Sequence, residues 1–458
     1  MANNPVVNMF KVKELRSRLL FTLLVLAVFR LGSVLTIPGI DANVLISYFD
    51  ELAQQNKNAF ASYMDFFVGG AFSNFSIFML GVMPYISMQI IMQLAVIIFP
   101  ALKRISQEDG GQRKIASWTK IGTIVVCLIQ SWTVTIYAES IPNAIVLESA
   151  IAFKLITMLT VTTGSLITIW LGEQITARGI GNGVSMMIFA GIVARLPSAV
   201  LELAEKVKAG EIQLVFVILV LIMFIVIIAL VIYEEAGQRK IPVHYAKRVV
   251  GRKMYGGQST YIPFKVNPSN VIPLIFASSI LTLPLTIFSN LGNSQNSARW
   301  VARLSAILAP NGIWYNILLV LLIIFFAYFY TQVTLNPTEI ARNIRENGGS
   351  IPGVRSDKTE EYLTKILNRL ILPGSLFLAL IAVIPTVVQN WFGFPQSISM
   401  LMGGTSLIIM VGVDLDTMSQ VEALLKMHHH EGLTKKGKIR SRRLKKKLNF
   451  RELVVEKK

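Results

Sequence analysis

Ten stretches of the chain are apolar over about the length needed to cross a bilayer. They lie at about 19–37, 76–99, 118–138, 152–173, 183–201, 212–233, 270–290, 313–334, 367–388 and 397–415. A hydrocarbon core about 30 Å thick takes roughly 20 apolar residues of helix. The pattern therefore predicts an all-α polytopic membrane protein with ten transmembrane helices. Two runs are less uniform. The fifth contains Ser185 and Arg195, and the tenth is glycine-rich and ends at Asp414 and Asp416. Between the first two runs, Phe60 to Phe78 is apolar but interrupted by Asp65, Gly69, Gly70, Ser73 and Asn74. Backbone groups left unsatisfied in lipid cost several kcal/mol each. This segment is then either an extramembrane loop or re-entrant, buried in protein or lining a cavity. The second run carries Pro84 near its start and the seventh carries Pro273. Matching breaks in two halves point to an inverted repeat, although proline is common in membrane helices.

Composition agrees with the pattern. Of 458 residues, 53% are hydrophobic and 15% charged, against roughly 25% charged in soluble domains. The net charge of +18 would suggest nucleic acid in a soluble protein. Here the basic residues fall on alternate connections. One side holds Lys11, Lys13, Arg16 and Arg18, then Lys103, Arg104, Arg113 and Lys114, then Arg178. It also holds seven Lys or Arg within 234–273, then Arg342, Arg345, Arg355, Lys358 and Lys365, and thirteen more in 426–458. The other side holds Lys57, Lys206, Lys208, Arg299 and Arg303. Positive loops stay cytoplasmic, so both termini are expected in the cytoplasm. The first run has no small-residue cleavage site after it and is expected to be retained. The lone Cys127 permits no intramolecular disulfide.

The basic connection Glu234 to Pro273 changes the functional question. It holds seven cations (Arg239, Lys240, Lys247, Arg248, Arg252, Lys253, Lys265) and two acids. So long a basic segment on one membrane face suits a large partner. Its start, EEAGQRKI, resembles EDGGQRKI at 108–115, which reads as two similar charged helix borders. The glycines of Gly179-Ile180-Gly181-Asn182-Gly183 allow tight turns. No strand precedes them and no P-loop lysine follows, so they are not read as a phosphate cradle.

Catalytic groups are missing from the pattern. Arg30, Lys154, Glu173 and Asp414 lie near run ends, where the interface can hold them. Arg195 lies deeper. Of four histidines, three form the tail triplet His428–His430. No nucleophile–base pairing, metal-ligand spacing or mid-membrane carboxylate pair stands out, and no cofactor is expected. That argues against a membrane enzyme and against an ion-coupled small-solute transporter. A pore or scaffold remains. An aliphatic constriction can gate a pore by dewetting. Val82, Ile86, Val184, Ile188, Ile275 and Ile409 are available for it, though each taken singly also suits lipid or helix packing.

Several stretches resemble the SecY family, channel subunits of the bacterial Sec translocase. They are LGVMPYISMQIIMQ (80–93), RGIGNGVSMMIFAGIVARLP (178–197) and YAKRVVGRKMYGGQSTYIPFKVNPSNVIPLIFASS (245–279). NPTEIA within 329–341, IPGVR (351–355) and GGTS (403–406) add to them. The resemblance spans nearly the whole chain. It implies a cytoplasmic N-terminus over 1–18 and two five-helix halves, 19–201 and 212–415, joined by a hinge at 202–211. It also implies cytoplasmic loops at 234–269 and 335–366 and a basic tail at 416–458. The six aliphatics above become the pore ring, and residues about 60–75 become a re-entrant plug that includes Asp65, Gly69, Gly70, Ser73 and Asn74. Ser87, Gln93 and Thr286 become lateral-gate positions, between the second and third spans and the seventh and eighth. Arg239, Lys247, Arg248, Arg252, Lys253 and Arg355 become docking residues for the SecA ATPase and the ribosome.

The implied function is passage of unfolded secretory proteins across the cytoplasmic membrane and sideways release of membrane helices. The implied partners are SecE, SecG, SecA, the ribosome, signal sequences and preproteins, with SecD, SecF and YidC beyond them. Two departures stand out: valine at 82 and 184, where isoleucine is common in the family, and a longer, more basic tail. A tail so dense in like charge is expected to stay unstructured. It would meet rRNA or anionic lipid, the latter at about 1 kcal/mol per basic residue.

Overall fold

The computed structural model describes residues 12–42, 44–45, 47–48, 65, 68–139, 141, 144–147, 149–245, 248–250, 253–255, 259–281, 312–392, 394, 398–399 and 406–426. Helices dominate. In chain order they are α1 (Lys13–Gly32), α2 (Met83–Ile98), α3 (Pro100–Gln107), α4 (Gly111–Glu139), α5 (Ala150–Arg178), α6 (Gly183–Lys208) and α7 (Leu214–Ala236). Then follow α8 (Ile272–Leu281), α9 (Ile313–Thr334), α10 (Pro337–Glu346), α11 (Thr359–Phe392) and α12 (406–426). Among the described residues six helical stretches are long and apolar enough to cross a bilayer. They become seven if the bent pair α2 and α3 counts as one. That pair turns by 102° at Phe99 and Pro100, where proline supplies no N–H to continue α2.

Where the predicted runs fall on described residues they lie on these helices, with several ends shifted; 282–290 of the seventh run and 400–405 of the tenth lie outside the described residues. The first run stops as helix at Gly32 rather than near 37. The second begins as helix at Met83 rather than near 76. Residues 69–82 instead form consecutive turns, with positive φ at Gly69, Gly70, Phe75 and Gly81.

Among the described residues, three of four apolar cores organise the molecule; the fourth is a small contact of Leu15, Ile180 and Val421. The largest joins α1, α2, α5, α6, α7, α8, α9, α11 and α12. A second sits where the turn segment meets the ends of α4 and α5. It holds Ile37, Leu45, Phe72, Phe75, Met79, Tyr137 and Phe153. Two isolated bridges, Thr36 with Ser76 and Ile40 with Ile145, pin its backbone. Phe75 is fully buried and stacks on Tyr137 at 6.1 Å between ring centroids. Replacing Phe75 with Ala is expected to cost about 3–5 kcal/mol through reduced burial and a residual cavity. A lowered unfolding midpoint in detergent checks this; an unchanged midpoint would show that the second core does not stabilise the fold.

The third core lies in the connections from α7 to α8 and from α9 to α11, to which the hydropathy pattern assigns no structure. Strand β1 (Gln238–Tyr245) pairs antiparallel with β4 (Ser259–Lys265), from Gln238 opposite Lys265 to His244 opposite Ser259. A second ribbon, β2 (Arg248–Val250) with β3 (Lys253–Tyr255), lies between them in sequence. The short β5 (Gly349–Ser350) comes from the other loop and pairs with β1. Ile241, Val243 and Phe264 then pack with Ile344, Ile351 and Leu363. The two loops, separate in sequence, form one platform.

Candidate functional site

Asp65 and the turn segment 69–82 are the centre of the site. Asp65 accepts backbone N–H groups from Phe72 at 3.1 Å and Ser73 at 2.9 Å on Oδ1, and the Ser73 hydroxyl at 3.0 Å on Oδ2. One carboxylate thus closes its own loop. Its charge is answered from outside, because Asp65 forms an ion pair with Arg195 of α6. The Asp65 side chain is 9% exposed and that of Arg195 31%. Arg195 also donates to Ser73 Oγ at 3.3 Å. Arg30 of α1 donates to the Gly69 carbonyl at 2.7 Å. Two guanidiniums, from the first and sixth helices, therefore hold the segment from two sides.

Gly69 and Gly70 are required here. Their φ angles are +69° and +96°, a region open to glycine but strained for other residues. A Cβ on Gly69 would stand 2.6 Å from Gly191 Cα, so the backbone of the turn segment lies directly on α6. The candidate plug residues Asp65, Gly69, Gly70 and Ser73 are thus brought together. Asn74 takes part through its backbone N–H, which donates to Gly70 at 3.3 Å.

Two partners go unnamed by the hydropathy pattern. Arg30 reads there as a run-end residue held by the interface, whereas it serves the Gly69 carbonyl. Arg195 reads as a deep charge without a stated partner. An aspartate in an apolar segment and an arginine in an apolar run are the signal: opposite charges kept from water need each other. Other run-end charges are also paired rather than left to the interface. Lys154 meets Glu139 at 3.0 Å, and Glu173 meets Lys120 at 2.7 Å.

The six candidate ring aliphatics fall within the largest core. Val82, Ile86, Ile188 and Ile409 are buried, and Val184 and Ile275 pack against them. Of the candidate gate residues, Ser87 is buried and returns its hydroxyl to the Met83 carbonyl at 3.1 Å. Gln93 has an Oε1 without a hydrogen-bond partner. Thr286 lies outside the described residues.

The turn Gly179 to Gly183 joins four helices. Asn182 caps α6 by accepting from Val184 and Ser185. Ile180 N–H reaches Thr22 of α1 at 3.1 Å, and Gly181 N–H reaches Gln420 of α12 at 2.9 Å. A Cβ on Gly183 would meet the Gly172 carbonyl oxygen at 1.7 Å. The glycines serve helix contact, which accounts for them without a phosphate.

On the platform, Arg239 is exposed, and Lys240 sits 4.7 Å from the centre of the Tyr261 ring. Arg248 and Lys253 stand on β2 and β3. Lys247, Arg252 and the tail 427–458 lie outside the described residues. Arg355 is exposed and follows Gly353, whose φ is +79°. Its carbonyl accepts the Lys358 N–H at 2.9 Å. Arg345 donates to the Ser356 carbonyl at 3.0 Å, which fixes the turn beside it.

Known proteins are similar to this chain in sequence and fold. A family model described as SecY matches residues 76–418. A protein translocase subunit SecY of Borreliella burgdorferi is 47% identical over 422 residues, covering 92% of this chain and 95% of its own. Two solved structures share the fold. One is of a SecY protein whose plug domain is described as stabilising the closed state of the translocation channel and maintaining a membrane seal. It has a TM-score of 0.58 at 19% identity, covering 92% of this chain and 97% of its own. The other is Sec61 in the canine ribosome–channel complex from the endoplasmic reticulum. It has a TM-score of 0.57 at 17% identity, with the same coverage.

Proposed function

The chain belongs to the SecY family, and we propose that it is a channel sealed at rest by the Asp65 segment and opened by partners on the β1–β5 platform. It is a multi-pass protein of the bacterial inner membrane and the protein-conducting subunit of a translocase; its family is not enzymatic. The observation that carries the proposal is the double arginine hold on the segment just ahead of α2.

In this reading the two halves, 19–201 and 212–415, enclose the pore, and both termini are cytoplasmic. Val82, Ile86, Val184, Ile188, Ile275 and Ile409 form its constriction. Branched aliphatics seal against water yet bind no passing side chain strongly. Residues about 60–75 act as the plug. Ser87, Gln93 and Thr286 belong to the lateral gate between α2 and α4 on one side and α8 and α9 on the other. SecE and SecG complete the translocase. SecA or the ribosome docks on the platform through Arg239, Lys247, Arg248, Arg252, Lys253 and Arg355.

Depletion of the protein in cells is expected to stop preprotein export and membrane-protein insertion together. Continued export and insertion would sink the channel reading. A finer test bears on docking. Arg355→Glu is expected to weaken ribosome binding most at low salt, and to lower the salt slope by about one for each phosphate it no longer neutralises. Binding and slope equal to wild type would leave Arg355 out of the docking surface.

A further inference from the structure

A docked partner acts on the platform, whereas the gate helix α8 begins after a short strap, residues 266–270. A plain loop there would absorb any displacement. This strap is instead tied down by buried polar groups. Helix α7 ends in two buried carboxylates, Glu234 and Glu235, 8% and 6% exposed. Asn267, 2% exposed, donates to Glu235 Oε1 at 3.3 Å and to the Asn270 carbonyl at 3.1 Å. Its Oδ1 accepts the buried Ser269 hydroxyl at 3.0 Å.

Lys265, the last residue of β4, stands 3.9 Å from Glu235 and equally 3.9 Å from Asp416 of α12. It also donates to Asn270 Oδ1 at 3.3 Å. Asn270 holds φ of +50°, a left-handed conformation that asparagine adopts more readily than most residues. The strap also touches α11 by backbone. A Cβ on Gly374 would lie 3.1 Å from the Val266 carbonyl oxygen and 3.5 Å from Glu234 Oε1.

The strap is therefore tied to α7 through Asn267 and lies against α11, and Lys265 just before it reaches Asp416 of α12; Asn267 and Ser269 are buried and the other strap residues half-buried. Close-packed, hydrogen-bonded groups transmit displacement instead of yielding to it. We propose that Glu235, Lys265 and Asn267 are positioning residues that join the β1–β4 hairpin, the end of α7 and the start of α8 into one rigid body. A load on the hairpin then moves the gate helix with it. This inference rests on the docking role proposed above.

The test uses the full chain in its assembled translocase in lipid nanodiscs. Spin labels go at Ile91 on α2 and Ile280 on α8. Translating ribosomes serve as the load, and their affinity is measured by cosedimentation. The wild-type label distance is expected to lengthen on ribosome addition. Asn267→Ala is expected to bind ribosomes as tightly but to lose most of the lengthening. Glu235→Gln retains an acceptor for Asn267 but no charge for Lys265, and is expected to fall between. Full lengthening in Asn267→Ala overturns the proposal, as does a parallel loss of docking. Amide exchange without any partner gives an independent reading. The first turn of α8 is expected to open together with β1 and β4 in the wild type, and alone in Asn267→Ala. Co-opening retained in the variant also overturns it. A wild type that binds no ribosomes would instead sink the docking role, and exchange would still decide the junction.

Discussion

Replacing Arg195 with Ala is expected to let the resting channel conduct ions and pass precursors with defective signal sequences. The expectation follows from where the charge sits. Asp65 keeps its two backbone N–H donors and the Ser73 hydroxyl, all within its own loop. It loses the guanidinium that pairs with it, at a site where its side chain is only 9% exposed in the native chain. Removing one partner of a buried pair costs about 3–5 kcal/mol, because the other charge is left uncompensated. Arg195 is 31% exposed, which places the cost at the low end. About 3 kcal/mol is a factor of roughly a hundred in the closed-to-open ratio.

Planar-bilayer conductance of the reconstituted channel measures the leak directly, and a reporter with an impaired signal sequence measures the gating. A resting conductance equal to wild type would dismiss the latch. Asp65→Asn gives a graded comparison, since Oδ1 still accepts from Phe72 and Ser73 while the charge is removed. Its leak is expected to be smaller than that of Arg195→Ala. The exchange of both charges, Asp65→Arg with Arg195→Asp, separates attraction from shape. Partial restoration of the seal over Arg195→Ala is expected, incomplete because arginine cannot accept the two N–H groups.

The latch also shows what is legible in the sequence. Hydrophobic runs are legible because spanning a bilayer needs length and composition, which are local. Asp65, Gly69, Gly70 and Ser73 are legible as breaks in an apolar segment. The pairing of Asp65 with Arg195 is not, because it joins residues 130 positions apart through a tertiary contact. The helical start at Met83 is misplaced toward 76 for a related reason. Ile77 and Phe78 are as apolar as a span requires, yet the Ile77 N–H serves Leu35 and the Phe78 carbonyl serves a local turn to Gly81.

The hairpin carries a legible signal that its charge obscures. QRKIPVHY alternates, with Ile241 and Val243 buried between exposed neighbours, a period of two that signals a strand. The pairing of β5 with β1 crosses about a hundred residues and rests on two residue pairs, so no local pattern announces it. By charge alone the proposed docking surface is two basic loops. The sheet and the third core make it a single body, so Arg239 and Arg355 keep a fixed relation.

At Gly164 a single methyl group is expected to disturb assembly. The residue lies in α5, opposite the turn segment. A Cβ there would stand 1.9 Å from the Ile77 carbonyl oxygen and 2.8 Å from the Ile77 carbonyl carbon. The obstruction is backbone, and it is held. Ile77 N–H donates to Leu35 at 2.9 Å, and Thr36 bridges Ser76 next to it. A rotamer change cannot relieve the clash, so α5 or the turn segment must move. Overpacking of this kind costs about 1–3 kcal/mol and sometimes more, and a backbone obstacle favours the upper end. Glycine in a helix interior is ordinarily about 1 kcal/mol less favourable than alanine, so the substitution would otherwise stabilise. The sign reverses at this position.

Gly172 lies on the same helix and is the control: a Cβ there meets its nearest neighbours at 3.5 Å, an ordinary contact. Gly172→Ala is expected to leave the thermal midpoint in detergent unchanged or raised, and Gly164→Ala to lower it. Equal shifts would mean that the close approach at Ile77 does not constrain the fold. Conductance carries the argument to function. Ile77 links the Asp65 loop to α2, so displacement by the methyl group also strains the proposed plug. Gly164→Ala is therefore expected to leak at rest, and Gly172→Ala to stay sealed.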